Sequence, residues 1–273
     1  MEKVKRLAIL GAGNIGISIA TGLVQSKLFD PHQITLTRRR IHLLHELAQQ
    51  GFTVDQNNLA AVRSSDAIVI AVEPQQLNAL LEEISPGLMP DRHLLISVVS
   101  GVGISQITRH ISKDIAVVRA MPNTAIAIRE SMTCLAADKK HDRAISVARS
   151  IFDTVGRTLV ITEEQMIAAT ALGACGIAFF LRAVRAASQG GIEIGFDSTD
   201  ALVIAAQTAK GAAALLLAEG KHPEYEIDKV TTPRGCTISG LNQMEHEGFS
   251  SAMIKGIVTS AEKASRLYHD GEQ

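Results

Sequence analysis

In the first part of the chain, short apolar runs alternate with longer stretches whose apolar residues recur at helical spacing. The short runs are rich in β-branched residues, which predicts buried strands. The predicted strands are Val4–Leu10, Ile34–Thr37, Ala67–Val72, Leu94–Val99, Ile115–Arg119, Met132–Ala136 and Leu159–Ile161. The predicted helices are 14–26, Ile41–Gln50, Gln75–Ile84, Ile104–Ile111 and Asp142–Thr154. This alternation predicts a mostly parallel sheet with helices on both faces.

The pattern changes near residue 162, beyond which strand signals are few. Thr162 and Gln165 have the spacing of a capping box, and a long apolar helix is predicted to about Ser188, broken at Gly190, Gly191 and Gly195. Further helices are predicted at 198–218, 237–247 and 250–268. We therefore predict two domains: a doubly wound α/β domain of the Rossmann type at 1–162, and an all-helical domain at 163–273.

Composition restricts the classes of function and adds an expectation about assembly. The chain has 27 basic and 28 acidic residues, and a charge near zero argues against a nucleic-acid partner. No run reaches the roughly 18 consecutive apolar residues of a membrane span, and the N-terminus lacks the pattern of a signal peptide. Three cysteines give neither a disulfide framework nor metal-ligand spacing. We expect a cytoplasmic protein without membrane partner or metal.

Charge and alanine content differ between the two predicted domains. Residues 1–162 hold 18 basic and 14 acidic side chains, whereas residues 163–273 hold 9 and 14. The segment 168–218 contains 16 alanines. Alanine-rich helices with few large side chains build a small core, so we expect a second copy of the chain to complete it.

A glycine motif follows the first predicted strand and opens a helix. Gly11 permits the tight turn, Gly13 lets a pyrophosphate approach the backbone, and Gly16 allows close packing of helix on strand. With Asn14 and Ile15, these residues are predicted to bind a dinucleotide. The alternative is a glycine-rich turn without a ligand.

The end of the second predicted strand bears on which dinucleotide binds. NAD enzymes place an acidic residue there, whereas this chain has three consecutive arginines after Thr37. Guanidinium groups bind phosphate through two parallel hydrogen bonds, so Arg38 and Arg39 are predicted to hold a 2′-phosphate. NADPH is the expected cofactor, with NADH possible but weaker. The alternative is a solvated basic run.

Two further loops follow predicted strands at the edge of the sheet where ligands bind. The first contributes Ala71, Val72 and Pro74 as cofactor-binding candidates. The second contributes Met121, Pro122 and Asn123, which are predicted to flank the nicotinamide. Pro-Asn is also typical of an ordinary turn, and that interpretation stays open here.

The chain resembles the pyrroline-5-carboxylate reductase family. The resemblance is carried by GAGNIG at 11–16, AVEPQ at 71–75, VRAMPNT at 118–124, the stretch 171–180, QTAKGAA at 207–213 and DKVTTPRGCTISGL at 228–241. It implies reduction of the cyclic imine Δ1-pyrroline-5-carboxylate to L-proline with NAD(P)H. It also implies a Rossmann domain joined to a helical domain that interlocks in a homodimer, often within a larger ring.

The resemblance implies roles for residues of the helical half. Thr237 matches a hydroxyl that hydrogen-bonds the ring nitrogen, and Gly235 and Cys236 begin a helix whose N–H groups hold the substrate carboxylate. Glu219 matches a carboxylate near the amine side of the product. The alternative for Thr237 is a purely structural helix N-cap.

The chain departs from the family pattern in the substrate loop, where Cys175 and Ile177 replace small polar or rigid residues. Cys175, Gly176 and Cys236 are nevertheless expected at the substrate, and the two thiols are hypothesised to line one pocket. The alternative is that each thiol is a small packing residue in place of Ser or Thr.

Two alternative functions stay open. One is a β-hydroxyacid dehydrogenase with Lys210 as its base, and the other is a regulatory paralogue that binds NADP(H) without catalysis.

Overall fold

The computed structural model describes residues 4–111, 114–138 and 142–267. The chain divides into two compact units. The first comprises the described residues up to Cys175 together with those from Ser260, and the second comprises Gly176–Thr259.

The first unit is built on an eight-stranded sheet. Its strands are β1 (Leu7–Leu10), β2 (Ile34–Thr37), β3 (Thr53–Asp55), β4 (Ala67–Ile70), β5 (Leu94–Ser97), β6 (Ala116–Met121), β7 (Ser131–Ala137) and β8 (Gly156–Val160). The order is β3-β2-β1-β4-β5-β6-β7-β8, and only the β6–β7 pair is antiparallel among the described strands. The predicted α/β fold with a mostly parallel sheet is confirmed, and the order reverses beside β1 as in doubly wound folds.

Side chains of the strands alternate between two cores because successive residues of a strand point to opposite faces. In β1, Leu7 and Ile9 belong to one buried cluster, while Ala8 and Leu10 belong to the other. β4 is divided in the same way and is wholly buried. Strands buried on both faces explain the continuous apolar runs in the sequence.

Six helices belong to the sheet-containing part: α1 (Asn14–Gln25), α2 (His45–Gln49), α3 (Asn58–Arg63), α4 (Leu77–Ile84), α5 (Ile104–Arg109) and α6 (Asp142–Phe152). The sequence did not predict β3 or α3. Both are short, with three and six residues, and neither has an apolar run long enough to give a periodic signal.

The remaining chain is helical, as predicted. α7 (Met166–Ala169) continues through a π-helical turn (Thr170–Cys175) into α8 (Gly176–Glu193), and α9 (Ser198–Glu219), α10 (Pro223–Val230), α11 (Cys236–His246) and α12 (Phe249–Ala264) follow. The sequence did not predict α10, and the predicted end of the last helix at Tyr268 lies outside the described residues. The predicted break at Gly190 and Gly191 is wrong, since α8 runs through both, and the left-handed residue Gly195 (φ +114°) follows its end. In α8, Gly191 lies against Ala201 of α9, where a Cβ would come within 3.1 Å of the alanine Cβ.

Large apolar side chains of the second unit are exposed. Phe180 and Leu181 of α8 and Val203 and Leu217 of α9 are each more than 60% exposed. By length and composition alone, the stretches Glu163–Glu193 and Ser198–Glu219 are apolar enough to cross a membrane, although buried core helices also meet that criterion. In the apolar 18-residue window of each stretch, only 17% and 6% of the residues are buried, so among the described residues most of these apolar positions are not covered.

Candidate active site

The turn after β1 requires glycine at two positions. Gly11 has φ +101°, and a Cβ there would lie 2.5 Å from the carbonyl oxygen of Ala71. A Cβ on Gly16 would lie 2.4 Å from the carbonyl oxygen of Gly11. The backbone N–H groups of Gly11 and Ala12 both donate to the carbonyl of Thr37. These contacts fix the turn between β1, β2 and β4.

The third glycine of the motif has open space above it. A Cβ built on Gly13 would meet no described atom within 4 Å. Gly13 is also the N-cap of α1, and no side chain of the described chain caps that helix. The first N–H groups of α1 are therefore available to an anion, and their dipole favours negative charge. This arrangement fits the pyrophosphate of a dinucleotide.

A pocket of ≈ 890 Å³ lies at this end of the sheet. It brings together six residues of the predicted cofactor site: Gly11, Gly13, Arg38, Arg39, Ala71 and Val72. Its other lining residues are Ala12, Thr37, Arg40, Gln56, Asn58, Glu73, Gln75, Gln76, Ala79, Leu80 and Glu83. Helix α4 and the residue before it line the pocket with one face, since positions 76, 79, 80 and 83 have helical spacing.

The two predicted phosphate-binding arginines differ in their surroundings. Arg38 is half-buried, and its Nη1 donates to the carbonyl of Ala12 at 3.0 Å. It therefore braces the glycine turn. Arg39 and Arg40 are both exposed at the pocket. Arg40 was not among the residues predicted to bind the 2′-phosphate. The geometry makes Arg39 and Arg40 the more accessible partners for a 2′-phosphate.

Other predicted cofactor residues do not belong to the lining of this pocket. Asn14, Ile15 and Gly16 form the start of α1, and Pro74 begins a 3₁₀ turn after β4. Met121, Pro122 and Asn123 lie at the carboxyl end of β6, two strands beyond β4. Their contact with a cofactor stays a prediction.

Asn123 connects β6 with the π-helical turn. Its Nδ2 donates to the carbonyl of Gly173 at 3.2 Å, and its Oδ1 accepts from the backbone N–H of Ala125. Single π-helical turns inside helices occur frequently at functional sites. The turn ends at Cys175, which is partly buried and directly precedes Gly176.

Arg119 and Glu163 form an ion pair beneath the same edge of the sheet. Arg119 Nη1 lies 3.4 Å from Glu163 Oε1, and the arginine side chain is 6% exposed. The same carboxylate oxygen accepts the backbone N–H of Ile104, the first residue of α5, at 2.5 Å. Burial lowers the pKa of the Arg119 guanidinium, and the charge of Glu163 partly offsets that effect. The pair ties β6, α5 and the segment after β8 together.

In the second unit, the loop before α11 places Thr237 inside the first helical turn. Gly235 is the N-cap, Cys236 is the first helical residue and Thr237 the second, and both of the latter side chains are exposed. The N-cap interpretation of Thr237 is therefore not what the structure shows. A Cβ on Gly235 would lie 2.5 Å from Thr232 Oγ1, so the loop needs glycine there. The preceding Arg234 has φ +60°, an uncommon left-handed conformation for a non-glycine residue.

Glu219 ends α9 and carries an ion pair. Its Oε2 lies 2.8 Å from Lys221 Nζ, on the other side of the left-handed Gly220. The hydrogen bond and charge of Lys221, with the charge of Lys229, lower the pKa of the Glu219 carboxyl. The group is thus held as a carboxylate, which suits the predicted position near an amine.

Two family models match the chain. Residues 163–267 match the model for pyrroline-5-carboxylate reductase dimerisation, and residues 6–101 match the model described as NADP oxidoreductase, coenzyme F420-dependent. Pyrroline-5-carboxylate reductase 2 of Dictyostelium discoideum is 48% identical over 97% of this chain and 94% of its own length. The chain belongs to the pyrroline-5-carboxylate reductase family. It is thereby an NADP-dependent oxidoreductase of the class that acts on C=N bonds.

Further relatives agree with membership in the family. Pyrroline-5-carboxylate reductase 1 of Dictyostelium discoideum is 54% identical over 98% of this chain, which spans 50% of that relative's length. A solved pyrroline-5-carboxylate reductase from Coxiella burnetii has TM-score 0.86 and 27% identity, covering 97% of this chain and 99% of its own. The Plasmodium falciparum pyrroline carboxylate reductase, solved with NADP bound, has TM-score 0.87 at 22% identity over 98% and 100% of the two chains, a likeness of fold.

Besides Arg40, sequence reasoning did not single out Asn58, Glu83 or Arg119. Asn58 and Glu83 line the pocket, and Arg119 anchors β6. The position of Glu83 on the pocket-lining face of α4 follows from helical spacing, a signal that was present in the sequence. Asn58 gave no such signal, because the short helix that carries it was not predicted.

Proposed function

We propose that this chain reduces Δ1-pyrroline-5-carboxylate to L-proline with NADPH as its preferred cofactor. The observation that carries the proposal is 48% identity, over 97% of the chain, to a relative named pyrroline-5-carboxylate reductase. The pocket supports it, because the glycine turn, the uncapped start of α1 and the exposed Arg39 suit a phosphorylated dinucleotide.

The residues present fit the cofactor, and their roles follow from their positions. Gly13 and the start of α1 hold the pyrophosphate, Arg39 and Arg40 hold the 2′-phosphate, and Arg38 keeps the glycine turn in place. Bound NADPH supplies the hydride. No metal is required for this chemistry, and among the described residues no cluster of His, Cys, Asp or Glu is built to hold one.

The helical unit supplies the groups that face the imine. Thr237 donates its hydroxyl to the ring nitrogen, and the N–H groups that begin α11 at Cys236 hold the substrate carboxylate. The Glu219 carboxylate, whose pKa is lowered by Lys221, attracts the cationic amine side of the product. Cys175, the last residue of the π-helical turn, and Gly176, the first residue of α8, are proposed to contribute as well.

The deciding experiment follows NADPH oxidation by the purified full chain with pyrroline-5-carboxylate. A parallel reaction follows NADP⁺ reduction with 3-hydroxy acids, and NADPH binding is measured directly. We expect turnover with the imine and none with the hydroxy acids. Hydroxy-acid turnover abolished by Lys210→Ala would identify a β-hydroxyacid dehydrogenase. NADPH binding without imine turnover would identify a regulatory paralogue.

We propose further that the chain forms a homodimer through its helical half, with larger rings built from dimers. The family model for this half is a dimerisation model, and the exposed side chains of α8 and α9 provide the apolar surface such an interface needs. The match to a dimerisation model favours a second copy, rather than a bilayer or a nucleic acid, as the partner we propose.

Sedimentation of the purified chain tests this assembly. The wild type is expected to sediment as a dimer or a larger species. Val203→Glu, at a site 62% exposed in the helical unit, should shift it toward monomer. Met89→Glu, at a site 43% exposed in the first unit, is the control and should not. A monomeric wild type would refute the proposal.

We propose a cytoplasmic location. The support is that Cys134, Cys175 and Cys236 are all free thiols, as expected in a reducing compartment. Fractionation of cells expressing the tagged chain tests it, and recovery in a membrane or organelle fraction would contradict it.

A further inference from the structure

A carboxylate enters the cofactor pocket from helix α4. Glu83, near the end of that helix, lines the pocket together with Arg38, Arg39 and Arg40. The sequence has arginines and no acidic residue directly after the second strand, and on those two grounds it favoured NADPH. The tertiary structure brings an acidic residue to the same pocket from elsewhere in the chain.

A chain of hydrogen bonds ties Glu83 to the end of β2. Thr37 Oγ1 donates to Asn58 Oδ1 at 2.6 Å, and Asn58 Nδ2 donates to Glu83 Oε2 at 3.0 Å. Thr37 is the last residue of β2 and is 1% exposed, so this series of hydrogen bonds begins at a buried residue of the sheet. Asn58 uses its acceptor and one of its donors, which orients the Glu83 carboxylate and leaves Oε1 with capacity to accept further hydrogen bonds.

NADH and NADPH differ at the adenosine ribose, where one carries a 2′-hydroxyl and the other a 2′-phosphate. A carboxylate accepts a hydrogen bond from the hydroxyl and repels the phosphate, whereas arginine favours the phosphate. The pocket thus holds groups of both kinds beside the end of β2. We propose that Glu83, oriented by Asn58, is a specificity-determining residue that supports NADH binding and limits the preference for NADPH.

Glu83 is distinguished from the other pocket carboxylate by its attachment. Both carboxylates are exposed, and Glu73 belongs to the loop after β4. Glu83 is instead joined through Asn58 to Thr37, which directly precedes the arginine run. Of the two carboxylates, Glu83 is the one linked by these hydrogen bonds to β2, the strand whose end governs nucleotide choice in this fold.

The inference rests on the proposed assignment of this pocket to the dinucleotide, and its test is nucleotide binding. The dissociation constants of NADPH and NADH are measured by fluorescence titration for wild type, Glu83→Gln and Glu82→Gln. The control residue is adjacent, 68% exposed at its side chain, and its Oε1 lies 3.3 Å from His110 Nδ1. Both substitutions remove one negative charge from the same helix.

We expect Glu83→Gln to weaken NADH binding about fivefold to tenfold and to leave NADPH binding equal or tighter, because one charge-assisted hydrogen bond is lost and one repulsion is removed. Glu82→Gln should leave the ratio of the two constants within about twofold of wild type. An equal change in both constants for Glu83→Gln, or the same ratio in both variants, would overturn the proposal.

The outcomes separate this inference from the proposed reaction. If the purified chain binds both nucleotides but does not reduce the imine, the proposed reaction is refuted. The ratio of the NADH and NADPH dissociation constants in Glu83→Gln can still be measured, so this inference can still be tested. If the wild type reduces the imine but Glu83→Gln leaves the ratio of the two dissociation constants unchanged, only this inference is refuted.

Discussion

The side-chain amide of Asn123 donates a hydrogen bond to the main-chain carbonyl of Gly173 across 3.2 Å, joining the end of β6 to the π-helical turn. The turn ends at Cys175, and α8 begins at the next residue. This contact gives Asn123 a positioning role toward the predicted substrate loop. The nicotinamide contact that the sequence suggested stays a prediction.

Asn123→Asp tests this role because aspartate keeps the acceptor for the Ala125 N–H and loses the donor to Gly173. We expect the free energy of unfolding to fall by about 1 kcal/mol. Steady-state kinetics should show a higher KM for the imine and a lower kcat, with little change in the KM for NADPH. A rise confined to the NADPH KM would instead support the nicotinamide contact.

Arg39 and Arg38 are expected to differ in their effect on the cofactor. Arg39→Ala should raise the KM for NADPH about tenfold and leave that for NADH nearly unchanged, because it removes a charged partner of the 2′-phosphate. Arg38→Ala should raise both, because it releases the Ala12 carbonyl. Arg157→Ala, exposed on β8 at the far edge of the sheet, is the control. Equal effects of Arg39→Ala on the two cofactors would rule out its assignment to the 2′-phosphate.

Thr237 can be altered without removing a helix cap, because Gly235 is the N-cap of α11. Thr237→Val should lower kcat about 10- to 100-fold, since the hydroxyl donor to the ring nitrogen is lost. Thr237→Ser should retain most activity. Wild-type rates for the valine variant, with an unchanged melting temperature, would remove Thr237 from the mechanism.

The Arg119–Glu163 pair should contribute to folding stability. Glu163→Ala leaves a buried guanidinium without its carboxylate and the Ile104 N–H without its acceptor. We expect a loss of about 2 kcal/mol in urea unfolding, below the usual cost of breaking a buried pair because Glu163 is partly exposed. Glu163→Gln keeps an acceptor and should lose less. Equal losses would show that the charge alone matters.

Asp66 should make stability depend on acid pH. Burial would raise the pKa of its carboxyl, but hydrogen bonds from the backbone N–H groups of Lys5 and Arg6 and the contact with Arg92 outweigh burial and lower it. A lowered folded-state pKa stabilises the fold above the unfolded value of about 3.9, and that contribution is lost as pH falls through the folded value.

Asp66→Asn removes this titration. Urea unfolding measured between about pH 6 and pH 3 should show a shallower loss of stability in the variant than in wild type, with a difference on the order of 1 kcal/mol at the upper end. Asp91→Asn, at an exposed site, should keep the wild-type slope. Identical slopes for wild type and Asp66→Asn would contradict the assignment.

Sequence alone determined the α/β layout, the glycine motif and the change to helices near residue 162. These features depend on local information: β-branched runs, helical spacing, and glycines needed by a turn. The short elements β3 and α3 lay below the length at which such patterns give a signal. The continuation of α8 through Gly191, which packs against Ala201, shows packing overriding helix propensity.

Only the tertiary structure decided which polar groups share the cofactor pocket and how they are oriented. Thr37, Asn58 and Glu83 are separated by 21 and 25 positions and meet because β2, α3 and α4 fold against one another. Arg119 and Glu163, which are 44 positions apart, form their ion pair for the same reason. Periodicity records which side of an element is buried. It does not record which distant side chain a polar group will meet, since that depends on the three-dimensional packing of several elements at once.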